Sequence, residues 1–136
     1  MADASDYLET ALLNHVFRNT AMTSPAAVYV ALFTADGAGE TGTPGTEVVA
    51  GDGYARVEAT FGAPSDDSGE MQVANSADVE FGKATADKGT VTHWCVMDAP
   101  TGGNPLTSPK AFATPWDYDT NVQPVFEAGN LTVNLG

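Results

Sequence analysis

The chain has 136 residues, 43% of them hydrophobic, with 18 Asp and Glu against 5 Lys and Arg, for a formal net charge of −13. That length suits one domain able to bury roughly two thirds of its unfolded surface. The five basic residues, Arg18, Arg56, Lys83, Lys88 and Lys110, are scattered, which excludes nucleic acid and anionic membrane surfaces as direct partners, since both are held by clustered cations.

The acids are dispersed too, and blocks of like charge that would mark a disordered tail are missing. They read as the coat of a folded domain, and with low Lys and many small residues they suit a salty cytoplasm or brine. Cys95 is the single cysteine, so neither an intrachain disulfide nor a cysteine-based metal cluster can form. Met1–Asp6 lacks the positive start and apolar run of an export signal, and no apolar run approaches the 18 residues of a membrane span.

In chain order, the first expected element is a helix over about residues 5–18. Leu8, Ala11, Leu12, His15 and Val16 recur at helical spacing. Asp6 with Glu9 forms a candidate capping box, and Ser5 is the competing cap. After Pro25 the period falls to 2. Val28, Val30 and Leu32 oppose Tyr29, Ala31 and Phe33, so both faces are apolar and a central strand is expected, with the helix as one candidate cover. Residues 34–53 read as a long loop with Gly37, Gly39, Gly42, Pro44 and Gly45, a length often kept for contact.

A second strand is expected over Tyr54–Phe61, then a polar turn at Pro64–Gly69 and short strands around Met71–Val73 and Ala77–Phe81. Thr90–Met97 is dense in β-branched and aromatic residues and predicts another buried strand. Turn chemistry at Thr101–Pro105 precedes short strands near Leu106–Phe112 and Val125–Phe126, and Leu131–Leu135 alternates. Seven or eight short strands without βαβ alternation predict an all-β fold with one N-terminal helix. An antiparallel β-sandwich of jelly-roll or Greek-key type is expected, one domain over 1–136 with the sandwich over about 27–136.

Chemistry-bearing residues are few. His15 and His93 stand outside any nucleophile or metalloprotease motif and are expected to be structural. Cys95 is expected to be an inert, buried thiol. Asp66, Asp67 and Glu70 share one loop and are the candidate ligands for a structural calcium or other cation; Asp117 and Asp119 flank Tyr118. The Asp-x-Asp-x-Asp-Gly spacing of a dedicated calcium loop is missing, so solvated surface acids are the default, and no cofactor is implied. Trp94 is expected in the core. Trp116 and Tyr118, in an acidic stretch after Pro115, are the candidates for contact with a partner subunit or a glycan.

Four ordered stretches carry a resemblance. The first runs from Leu8 through Leu12-Leu13-Asn14-His15-Val16-Phe17-Arg18-Asn19-Thr20 and Thr23-Ser24-Pro25 into Val28-Tyr29-Val30-Ala31-Leu32-Phe33-Thr34. Gly53-Tyr54-Ala55-Arg56 is the second. The third joins Asn75-Ser76-Ala77-Asp78-Val79 and Phe81 to Gly89-Thr90-Val91-Thr92-His93-Trp94, and Ala128-Gly129-Asn130-Leu131-Thr132-Val133 closes the set. Together they resemble small tailed-virus structural proteins described as tail-fibre or capsid-fibre and decoration proteins. The resemblance implies a virion component, not an enzyme, with no catalytic residues to carry over. The family's labels are divided between head and tail; the first expectation is a homo-oligomer on the capsid surface (decoration, turret or spike), partnered by the major capsid protein or neighbouring head or tail proteins and assembled in the host cytoplasm. A tail fibre or glycan-binding host-attachment module is the alternative. The acidic bias would suit a virus of a haloarchaeal host.

Overall fold

The computed structural model describes residues 2–37 and 44–136. Gly39 and Gly42 of the expected long loop lie outside them. One helix, α1 (Asp6–Phe17), precedes ten strands: β1 (Val28–Ala35), β2 (Thr46–Glu47), β3 (Val57–Ala59), β4 (Ser65–Asp67), β5 (Glu70–Ala74), β6 (Val79–Glu80), β7 (Thr90–Met97), β8 (Lys110–Asp117), β9 (Val125–Phe126) and β10 (Thr132–Asn134).

Every named strand pairing is antiparallel. The largest sheet runs β2-β1-β7-β8, with β3 also on β1; β10-β5-β4 and β6-β9 form two smaller sheets. The all-β class with a single helix is therefore as expected, and sheets closing on one core are consistent with a sandwich. That core joins Val30 and Leu32 of β1, Val91, Trp94 and Val96 of β7, Val79 and Phe81 around β6, and Leu131 before β10.

β1 and β7 are central because both of their faces are apolar. Val30, Leu32, Trp94 and Val96 point into the main core, while Ala31, Phe33, Cys95 and Met97 make a second cluster behind them. The register pairs Ala31 with Cys95 and Leu32 with Trp94, so each cluster is built from like-facing neighbours across the ladder. The helix is not the cover of the second cluster. None of its residues is fully buried, and its Leu8 packs on the main core instead.

Ser5, the competing cap, is the helix cap, and Asp6 is already the first helical residue, so the expected Asp6–Glu9 capping box does not form. The Ser5 side chain accepts from the Leu8 amide at 3.3 Å and donates to the Pro105 carbonyl at 2.6 Å, which ties the helix start to the body. Asp6 and Glu9 lie in the first turn, where acids meet the positive end of the helix dipole. The helix stops where Asn19 takes a left-handed conformation with φ 53°, which Asn tolerates better than most residues.

Two expected strands shift. The run 54–61 is a strand only over Val57–Ala59, because the Tyr54 backbone is turned back on Gly51 and Phe61 makes a single bridge to Asn75. The run expected at 106–112 starts later. Leu106 instead bonds Val96 and Ser5 through its backbone, and the strand is Lys110–Asp117, which takes in Pro115 and Trp116. Pro115 is accommodated because the β7–β8 register shifts between Val91 and His93, and β8 ends the sheet on that side.

Candidate functional site

Arg56 is closely enclosed by partners within the chain. Its Nε and Nη2 bond both oxygens of Glu47 at 3.0 and 2.8 Å, and its Nη1 donates to the Ala99 and Gly102 carbonyls at 2.8 Å each. Four of five guanidinium donors are thus spent inside the chain. Tyr54 completes the joint: its hydroxyl donates to Glu47 at 2.7 Å and accepts from the Leu32 amide at 3.1 Å. The Glu47 hydrogen bonds raise the guanidinium pKa further, and burial first of all pushes the Tyr54 phenol well above its ordinary range. A space of about 250 Å³ beside this joint is lined by Glu47, Tyr54, Arg56 and Gly102. With its donors consumed, Arg56 acts there as a clamp between β2 and the loop after β7.

Gly53 opens that motif for a physical reason. Its φ of +97° belongs to glycine, and a Cβ there would collide with the Lys83 carbonyl.

Asn75 is a second internal bracket that sequence reading missed as such. It is 2% exposed. Its Nδ2 donates to the Ala77 and Glu127 carbonyls, and its Oδ1 accepts from the Gly129 and Leu131 amides, all at 2.9–3.0 Å. It joins two of the stretches that carry the family resemblance.

Six aromatic rings form a closed circuit through the core: Tyr54, Phe81, Phe126, Phe112, Trp116 and Tyr118, with neighbouring centroids 5.7–6.4 Å apart. Such stacked and edge-to-face pairs add to plain burial. The two expected contact residues separate here. Tyr118 is fully buried and its hydroxyl donates to the Gly82 carbonyl, so it stands behind the wall and presents no face to a ligand. Trp116 is half-buried and lines an open depression of about 240 Å³ with Val122, Pro124, Val125 and Phe126. Trp94 is in the core, as expected.

The candidate cation residues do not converge. Asp66 and Asp67 lie on β4 and Glu70 on β5, opposite one another in a tight hairpin. Asp66 accepts from the Gly69 amide and Glu70 holds the Asn134 side chain. Among the described residues no three of His, Cys, Asp and Glu come together to hold a metal ion. His93 sits at 2.8 Å from the Thr92 hydroxyl and 3.8 Å from Asp36. The exposed His15 accepts from the Met22 amide. Cys95 is buried, and burial pushes its thiol up to about 12. At the far side of the sheet, Asp87 is held below the usual carboxylate range by hydrogen bonds from the Thr120 amide and hydroxyl.

The exposed surface instead offers two apolar features. A groove of about 300 Å³ runs between the helix and the small sheet, lined by Leu8, Val28, Phe61, Val73, Val96 and Val133. It continues over Pro64, Met71, Asn134 and Leu135, again with Leu8, Val73 and Val133 in its wall. The second feature is the helix tip, where Leu13, Val16 and Phe17 are 57, 65 and 78% exposed. The helical spacing grouped Val16 with Leu8, Ala11, Leu12 and His15 on one apolar face and left Leu13 and Phe17 out. The usable signal was a second stripe at i, i+4 beside the first.

Among known families, a model described as Podophage GP4 fiber I protein gp80 matches residues 3–134. The chain matches no curated protein.

Proposed function

The chain belongs to the podophage GP4 fiber I family, and from that premise we propose that it is a non-enzymatic protein displayed on the capsid surface as decoration, turret or spike, in several copies. Membership makes it a virion structural protein that works against other virion proteins. The observation that supports contact with neighbouring proteins is the pair of exposed apolar surfaces, at the groove and at the helix tip. Side chains that could do chemistry are engaged internally, as Arg56 is with Glu47, or buried with a raised pKa, as Cys95 is. Apolar surface left in water marks contact with another protein.

Imaging virions with a label on this chain, before and after tails are stripped, tests the placement. Labelled heads after stripping are expected; label lost with the tails would move the protein to the tail. The acids fit a hydrated coat in salt-rich surroundings such as those of a haloarchaeal host, because screening relieves the self-repulsion of −13 charges. Dialysis to low ionic strength is then expected to loosen the fold or its attachment to the particle, and persistence of both would remove the salt-adapted reading.

A second reading, attachment to a host glycan, is favoured by Trp116, whose part-exposed ring borders an open depression. Glycan arrays in high salt, with binding abolished by Trp116→Ala, would support it. Binding unchanged in that variant would remove it.

A further inference from the structure

The helix tip and the apolar groove lie on opposite halves of the same element. A helix of twelve residues is marginal in water unless its apolar face is covered, yet no residue of α1 is fully buried. Its first half is anchored by the buried Ser5 cap and by Leu8 on the core. Its last turns carry Leu13, Val16 and Phe17 into solvent. Phe17 lies nine residues beyond Leu8, about 13 Å along the axis, so a rigid helix cannot return its own tip to its own groove.

Charge separates the two features. Glu9 lies against Gly136 beside Leu135. Glu70 bonds Asn134, and Asp66 stands opposite Met71 in the β4–β5 hairpin. The groove margin is therefore acidic. Asn134, 8% exposed in its wall, also keeps an Oδ1 without a donor among the described residues. The helix tip ends in Arg18, one of only five basic residues in the chain. Two of the others, Arg56 and Lys88, are turned inward to Glu47 and Asp52 with side chains 8 and 5% exposed. Within one sequence, then, an apolar knob carries a cation and an apolar hole carries anions.

We infer that the occupant of the groove is the helix tip of a second copy: Leu13, Val16 and Phe17 seat against Leu8, Val73, Met71 and Leu135 of its neighbour, and Arg18 meets the acidic margin. The inference rests on the reading of the chain as a repeated virion component and names the surface through which copies join. Unlike patches make the contact, so it is heterologous and closes into a ring or extends into a filament, according to the rotation it imposes.

Sedimentation of the full chain in high salt, where repulsion between copies is screened, is the test. The wild type is expected to associate as concentration rises. Phe17→Glu and Met71→Glu, each at an exposed position, are expected to weaken association about 30-fold or more, as loss of a central anchor does, with the thermal melt of the separated chain unchanged. Copies carrying Phe17→Cys mixed with copies carrying Leu135→Cys should form a disulfide-linked pair under mild oxidation, and neither variant alone should link to itself. A wild type that stays a single chain at millimolar concentration would overturn the inference, as would self-linking of Phe17→Cys, which would mean helix against helix. A single chain that is nevertheless bound by capsid protein, and released by Phe17→Glu, would assign the tip to a different partner. Virion imaging fails or succeeds independently: a single chain found on heads sinks this contact and leaves the placement standing, and an associating chain absent from particles does the reverse.

Discussion

The β1–β7 pair and the helix α1 both carry apolar side chains on more than one side, but among the described residues only the pair finds its cover. Behind β1 and β7, Ala31, Phe33, Cys95 and Met97 form a closed cluster. Arg56 and Glu47 lie near enough to act on the Cys95 thiol. On α1, the half next to Ser5 is docked and the half ending at Phe17 is bare. Cross-strand neighbours and a buried ion pair complete the first region. The second is incomplete in one copy, and the same hydrophobic drive that folds the one makes the other adhesive.

The contrast breaks first at the clamp. Among the described residues, Arg56→Ala leaves the Glu47 carboxylate with the Tyr54 hydroxyl alone and frees two loop carbonyls. A loss of about 3 kcal/mol is expected, near the low end for a broken buried pair, because Glu47 keeps 28% exposure. Denaturant unfolding of the two proteins measures it, and a loss below about 1 kcal/mol would show that β1 does not depend on this cover. Asn75→Ala removes partners from two amides and two carbonyls at once. About 2 kcal/mol is expected, together with faster amide exchange at Leu131, while the Gly129 amide keeps the backbone carbonyl of residue 75.

Cys95 gives a smaller effect with a definite sign. Its thiol ionises near 9 when unfolded and near 12 when folded. Below 9 both states hold the proton and pH costs nothing. Between 9 and 12 the unfolded chain gives it up and the folded chain does not, so stability falls as pH rises, by about 1 kcal/mol at pH 10. Cys95→Ala should flatten that alkaline decline, and Tyr54, raised in the same direction, should leave the remainder in both proteins. The smallest effect belongs to the other region: Phe17→Ser should change the stability of the separated chain by no more than about 0.5 kcal/mol, read from melts at dilution. A large loss there would mean that the tip is packed after all.

Particular residues show where sequence was readable. The two-faced alternation of Val28–Phe33 and the apolar density of Thr90–Met97 marked the central strands, because period and composition report burial directly. Tyr118 shows the opposite. Its neighbours Asp117 and Asp119 suggested a surface position, yet the ring is enclosed by Tyr54 and the Gly82 carbonyl, partners far away in the chain, with Trp116 beside it. Asp66, Asp67 and Glu70 were close in sequence, but a tight hairpin set them facing solvent without convergence.

By itself the sequence determined the class, the buried pair of strands, the helix and the acidic coat, since each rests on local pattern or on plain charge count. Only the tertiary structure decided that Arg56 is spent on Glu47, that Asn75 ties the chain near 75 to the chain near 129, and that Tyr118 faces inward while Trp116 keeps an edge. It alone showed that the helix leaves its tip bare beside a groove that tip cannot reach. Those outcomes depend on which distant segments meet, and hydrogen bonds and burial are settled by neighbours in space rather than by neighbours in sequence.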